Sequence, residues 1–176
     1  GEIIVTANRR SENVQKVAAS ISVIGGNELS RQGVTNSNEI AQAVPNLTIT
    51  STFNNSNPRI FIRGVGSADF NPNASSPVGV YVDDVYLAST NALQFQLFDT
   101  QRVEVLRGPQ GTLYGRNTTA GAIKYFSKMP TDTFEGEGKL RLGNMQNLSV
   151  QGAISGPISS DVLTGRLSFT VDRRDG

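Results

Sequence analysis

Apolar residues along this chain fall into short runs broken by glycine, asparagine and serine, and helical spacing is rare. Residues 20–24 (SISVI) alternate and predict a strand, which Gly25 and Gly26 end. Asn27 is placed to cap a short helix, with Glu28 in its first turn and Gly33 as its stop. A second short helix is predicted over residues 37–43, capped by Asn36 or Ser37. Ile40, Ala41 and Val44 share one of its faces, and Pro45 ends it. Residues 47–52 and 60–62 read as strands with a polar loop between them. Residues 64–77 (GVGSADFNPNASSP) are nearly free of apolar side chains and read as one long exposed loop, a feature usually functional or disordered. Residues 78–87 predict a hairpin that turns at Asp83 and Asp84. Two further apolar strands follow, 103–106 and 122–126. The segment between them is punctuated by Gly108, Gly111, Gly115 and Gly121, which suits tight turns and close backbone approach.

The pattern changes near Pro130. Leu140 and Leu142 alternate with charged residues. Leu148, Val150, Gly152 and Ile154 alternate with Ser149, Gln151 and Ala153, and Leu163 to Val171 repeat the scheme. Period-two segments of this length suit strands with one side in lipid and the other towards a wet or protein-filled lumen. They equally suit an amphipathic meander on a soluble core. Three strands cannot close a barrel, and an open sheet in lipid leaves costly unpaired backbone groups. On the lipid alternative the chain is therefore expected to be a piece of a longer protein.

At the other end, Glu2, Ile3, Ile4, Val5, Thr6 and Ala7 form a β-branched run beside the polar residues 8–16, which look hard to pack. Such a run is either an edge strand of its own domain or a peptide that adds itself to another protein's sheet.

Composition narrows the chemistry. The 176 residues carry a net charge of +1, with no Cys and no His. No basic stripe points to nucleic acid. The usual general base, the commonest metal ligand and thiolate chemistry are all missing. No apolar run has the length of a spanning helix, and the start lacks the pattern of a secretory leader. Asp83 and Asp84 are adjacent, so on a strand they would face opposite ways, and a turn explains them better than shared acid–base work. Asp69, Asn71 and Asn73 have alternate spacing but lack the glycine and the distant glutamate of a calcium loop. The glycines at 108 and 111 are not followed by the lysine and hydroxyl of a phosphate loop. Arg63 and Arg107 each end an apolar strand directly before a glycine. Each guanidinium is thus expected to be at least partly buried and to need a carboxylate, with Glu104 the local candidate.

VEVLRGPQGTLYGRNTTAGAI (residues 103–123) resembles the signature of the plug domain of TonB-dependent outer-membrane receptors. Ile62-Arg63-Gly64 is similar to the family's IRG motif. Val44-Pro45-Asn46-Leu47 is similar to its PGV turn, with Asn where Gly is usual. EIIVTA (residues 2–7) is similar to its Ton box. The family more often has Asn-Ile/Phe-Val-Thr-Lys where this chain has Lys124-Tyr125-Phe126-Ser127-Lys128.

The resemblance implies an α+β fold: a plug domain with a small mixed β-sheet, short helices and long loops, followed by the first antiparallel strands of a truncated transmembrane β-barrel. The implied divisions are 1–19 for Ton box and linker, 20–130 for the plug and 131–176 for the start of the barrel. The implied function is the gate of an active importer of a scarce large nutrient, most simply a ferric siderophore, in the bacterial outer membrane with the plug facing the periplasm. No catalysis and no cofactor are implied. The implied partners are the TonB C-terminal domain at residues 2–7, the rest of the chain's own barrel, the nutrient and outer-membrane lipid, with no nucleic acid. Arg63 and Arg107 would meet glutamates of the barrel wall. Asn55, Asn57, Phe70, Asn71, Asn73 and Asn91 lie on loops expected to touch the nutrient. Two other classes stand beside this one. A secreted β-rich module binding a ligand or glycan would leave EIIVTA unexplained. A small hydrolase would use Asp83 or Asp84.

Overall fold

The computed structural model describes residues 4–5, 12–13, 15, 17, 19–51, 57–69, 71, 74–144, 147–159 and 162–173. Two compact units divide the chain, Gly1–Ser127 and Lys128–Gly176. In the first, the strands are β1 (Ile4–Val5), β2 (Glu12–Asn13), β3 (Ser20–Gly25), β4 (Leu47–Thr50), β5 (Arg59–Ile62), β6 (Val65–Gly66), β7 (Val78–Val82), β8 (Val85–Tyr86), β9 (Thr100–Arg107) and β10 (Gly121–Ser127). A mixed five-stranded sheet runs β3-β9-β10-β7-β8. Only β10 and β7 are parallel in it. A smaller antiparallel sheet, β4-β5-β6, stands beside it in the chain.

The central sheet is covered on both faces, which is why β9 is apolar in consecutive positions and not alternate ones. Val103, Val105, Ile123 and Tyr125 join the larger core with Val78, Val80, Ile24 and the residues of β4 and β5. Leu106 and Ala122, on the other face, pack with Val5, Tyr81 and Tyr114. Gly121 makes this possible. It has φ +153, and a Cβ there would stand 2.2 Å from the carbonyl oxygen of Leu106.

The short helices differ in detail from the sequence expectation. Helix α1 (Gly26–Arg31) starts one residue before Asn27, with Gly25 at its cap position and no side-chain cap bond. Gly33, at φ +74, does end it. Residues Ser37–Gln42 form a 3-10 helix whose entry Glu39 organises. Burial alone would raise the Glu39 carboxyl. Bonds from the backbone N–H groups of Thr35 (2.6 Å) and Asn36 (3.1 Å) and from the Thr35 hydroxyl outweigh it and hold the pKa low. Three elements went unforeseen. Helix α2 (Gly111–Tyr114) lies in the glycine-punctuated segment, a 3-10 turn covers Thr90–Leu93, and β6 breaks the supposed long loop. The polar stretch 8–16 also supplies β2, which pairs with β1.

The second unit is an antiparallel meander of β11 (Glu135–Gly143), β12 (Asn147–Ser159) and β13 (Leu163–Arg173). Leu140, Val150 and Val171 stand in register, as do Ile154 and Leu167. This apolar side is open: Leu142 and Leu167 are each 73% exposed. Ser149, Ala153 and Ser155, pointing the other way, are buried. A meander on a soluble core would bury its apolar side instead. The nine, 13 and 11 residues of the three strands reach the roughly 9–11 that a tilted spanning strand needs.

Candidate functional site

Four groups of residues carry the functional expectation. The first is the N-terminal run. Ile4 and Val5 form a two-residue ladder with Asn13 and Glu12 and lie outside the central sheet. Val5 is 0% exposed, seated with Tyr81, Leu106, Tyr114 and Ala122. Glu2, Ile3, Thr6 and Ala7 lie outside the described residues.

The second group is the arginine pair. Arg107 donates to Ser22 Oγ at 2.7 Å and to the Pro45 carbonyl at 3.1 Å, yet its buried Nε has no hydrogen-bond partner. Its pKa is lowered, first by burial and then by the like charge of Arg63. Arg63 is exposed, contrary to expectation, and adopts φ +52 at the turn into Gly64. Among the described residues neither guanidinium meets a carboxylate. Glu104 is not the partner foreseen from the sequence: its carboxylate receives Arg102 Nε at 2.7 Å.

The third group is the one the sequence hid. Lys124 stands directly across the ladder from Glu104, and both are almost wholly buried, at 1% and 0% exposure. Lys124 Nζ reaches Asp84 Oδ1 at 2.8 Å and the Tyr114 hydroxyl at 3.3 Å. Its ammonium also faces the Phe126 ring, which Arg102 covers at 3.9 Å. The charges along this network alternate in sign, so each buried charge has an opposite one as its neighbour: Arg102 beside Glu104, and Asp84 beside Lys124. Asp83 and Asp84 turn the β7–β8 hairpin with φ +46 and +65, conformations that glycine and asparagine adopt more readily. Both carboxylates are engaged by β10: Asp83 accepts from the Ser127 amide (2.8 Å) and hydroxyl (2.7 Å), Asp84 from Lys124. The pair works as a staple for a turn.

The fourth group lines two adjoining clefts. The larger, open and of about 550 Å³, has Tyr86, Ser89, Asn91, Arg116 and Asn117 in its wall. The smaller, about 20 Å³, has Asn57, Arg59, Asp69 and Asn71. Ala74, Ser76, Thr90 and Leu93 belong to both. Three asparagines expected to touch a ligand thus gather here: Asn57 and Asn71 in one cleft, Asn91 in the next. Asn55, Phe70 and Asn73 lie outside the described residues. Asp69 Oδ1 accepts the Asn71 amide at 2.9 Å, so the alternate spacing makes a local turn. Arg116 and Asn117 were missed. The available signal was their place directly after Gly115.

Known proteins speak to this arrangement. Residues 13–122 match the family model described as the TonB-dependent receptor plug domain. The chain belongs to the TonB-dependent receptors. That family is at home in the bacterial outer membrane. The pesticin receptor of Yersinia pestis is 35% identical across 99% of the chain, which spans 26% of that relative. The vitamin B12 transporter BtuB of Vibrio vulnificus is 27% identical, and the chain spans 28% of it. These relatives are a receptor and a transporter, not enzymes. Among solved structures, the ferric yersiniabactin uptake receptor FyuA of Yersinia pestis superposes with a TM-score of 0.79 at 34% identity, covering 86% of this chain and 24% of that one. The pyoverdine outer membrane receptor FpvA of Pseudomonas aeruginosa, bound to pyoverdine, gives 0.80 over 97% of this chain and 24% of its own, at 21% identity, which supports the fold alone. This TonB-dependent receptor chain therefore corresponds to about a quarter of the curated relatives it matches.

Proposed function

We propose that the chain is the plug, with the first barrel strands, of an outer-membrane importer of a ferric siderophore. Residues 1–19 serve as Ton box and linker, 20–130 as plug and 131–176 as barrel wall. The observation that carries this is the plug match over residues 13–122 followed by a sheet whose apolar side is the open one. Several features of the chain support the assigned roles. The TonB C-terminal domain pairs with Glu2, Ile3, Ile4, Val5, Thr6 and Ala7 by strand addition; Ile4 and Val5 are already extended and held by a ladder of only two residues. Arg63 and Arg107, two cations that meet no carboxylate among the described residues, pair with acids of the barrel wall. Asn55, Asn57, Phe70, Asn71, Asn73 and Asn91 present the plug to the nutrient. Lipid covers Leu140, Leu142 and Leu167. The whole protein moves its cargo without chemical conversion, using work delivered through TonB.

The direct test is capture by an immobilised TonB C-terminal domain. Capture is expected for the wild type and is lost in Ile4→Pro, which removes a strand N–H. Capture that survives the proline, or none at all in the wild type, rules the importer out.

A further inference from the structure

The larger cleft has a charge preference built into its wall. Among the described residues Arg116 is the one charged group in its lining, and no carboxylate lines it. The other polar groups are hydroxyls and amides, including Tyr86, Ser89, Asn91 and Asn117. The loop that presents Arg116 is pinned. Thr118 Oγ1 donates to the Gly115 carbonyl at 2.7 Å, and the Gln110 amide donates to the Thr118 carbonyl at 2.9 Å. Asn117 takes the left-handed φ of +69 and donates Nδ2 to the Tyr86 hydroxyl at 3.2 Å. The Tyr86 ring rests at a tilt against Tyr81, 5.5 Å between centroids. A ligand entering this wall therefore orders little that is not already ordered. Arg116 is exposed, and among the described residues no acid pairs with it. Asp69, the acid in the described lining of the neighbouring small cleft, shares that cleft with Arg59 and already accepts the Asn71 amide. The volume of about 550 Å³ falls within the roughly 300–1,000 Å³ of small-molecule sites.

We infer that this cleft selects a ferric chelate of net negative charge, a catecholate or carboxylate complex, and that Arg116 is the residue that reads the charge. The guanidinium fork suits the paired oxygens of such ligands and repels a cationic chelate. Tyr86 and Asn117, held by each other, offer the neighbouring hydrogen bonds. This rests on the importer proposed above and adds its substrate class.

The test measures binding to the full receptor in detergent, with a negatively charged ferric tricatecholate and an uncharged ferric trihydroxamate as probes. The wild type is expected to prefer the tricatecholate, and added salt to weaken that probe alone. Arg116→Gln should bind the tricatecholate about tenfold more weakly and leave the trihydroxamate unchanged, while Arg116→Lys recovers part of the loss. Equal affinity for the two probes, no salt dependence, or equal losses in Arg116→Gln would overturn the assignment. So would a wild type that binds neither probe. Capture by TonB in that same preparation separates the cases: if it persists, only the charge-reading cleft falls, and if it is absent, the importer falls too.

Discussion

Single residues in this molecule are decided by what a neighbouring backbone group permits. Glu39 holds the entrance of its 3-10 helix through bonds to Thr35 and Asn36, and its lowered pKa marks a carboxylate that folding favours in the charged form. Its contribution is present above the unfolded carboxyl pKa and vanishes as pH falls through the lower folded value. Glu39→Gln is therefore expected to lower the urea midpoint at neutral pH, with the gap to wild type closing on acidification; a gap independent of pH refutes this. Gly121 is set by space. A Cβ would collide with the Leu106 carbonyl, so Gly121→Ala should cost about 1–3 kcal/mol, read from chemical denaturation.

At the scale of elements, the β7–β8 hairpin and β10 are joined by charge. Lys124 lies at the crossing point of Asp84, Tyr114 and Glu104. Lys124→Met keeps the volume but leaves buried Glu104 with less positive charge around it. The loss should be on the order of 3 kcal/mol. Asp84→Asn removes a partner whose side chain is mostly in water, so its cost should stay below about 1 kcal/mol. Equal costs for the two changes would mean that the buried network does not act as described. The hairpin itself could be seen in the sequence, because a two-residue turn between apolar runs has a short-range signature. The staple could not, since Lys124 and Asp84 are far apart in the chain and a lysine in a strand looks like a surface residue. Helix α2 and the 3-10 turn at Thr90–Leu93 are each four residues long, too short for a periodic signal.

For the whole molecule, the two units obey opposite solvent rules. Gly1–Ser127 buries its apolar residues on both faces of a mixed sheet. Lys128–Gly176 turns its apolar side outwards. Leu142→Lys in the full receptor should cost a few kcal/mol if the site lies near the bilayer centre, and less towards an interface, measured by folding into lipid vesicles. A substitution of similar size on the polar side, Lys139→Leu, should be tolerated. Indifference of both positions would show that this sheet does not face lipid.

What the sequence determined by itself was encoded at short range: the strands other than the two-residue β2 and β6, the hairpin turn, the switch to strict alternation near Pro130, and the glycine-rich signature that resembles the plug family. Periodicity and turn chemistry act between residues close in the chain, so they survive without a fold. Tertiary structure alone decided which side of the meander is exposed, that Arg102 and not Arg107 takes Glu104, that Val5 sits on the sheet, and that Arg116 joins Tyr86 and Asn91 around one cleft. Those outcomes depend on which distant strands become neighbours, and burial and charge pairing are fixed only once they do.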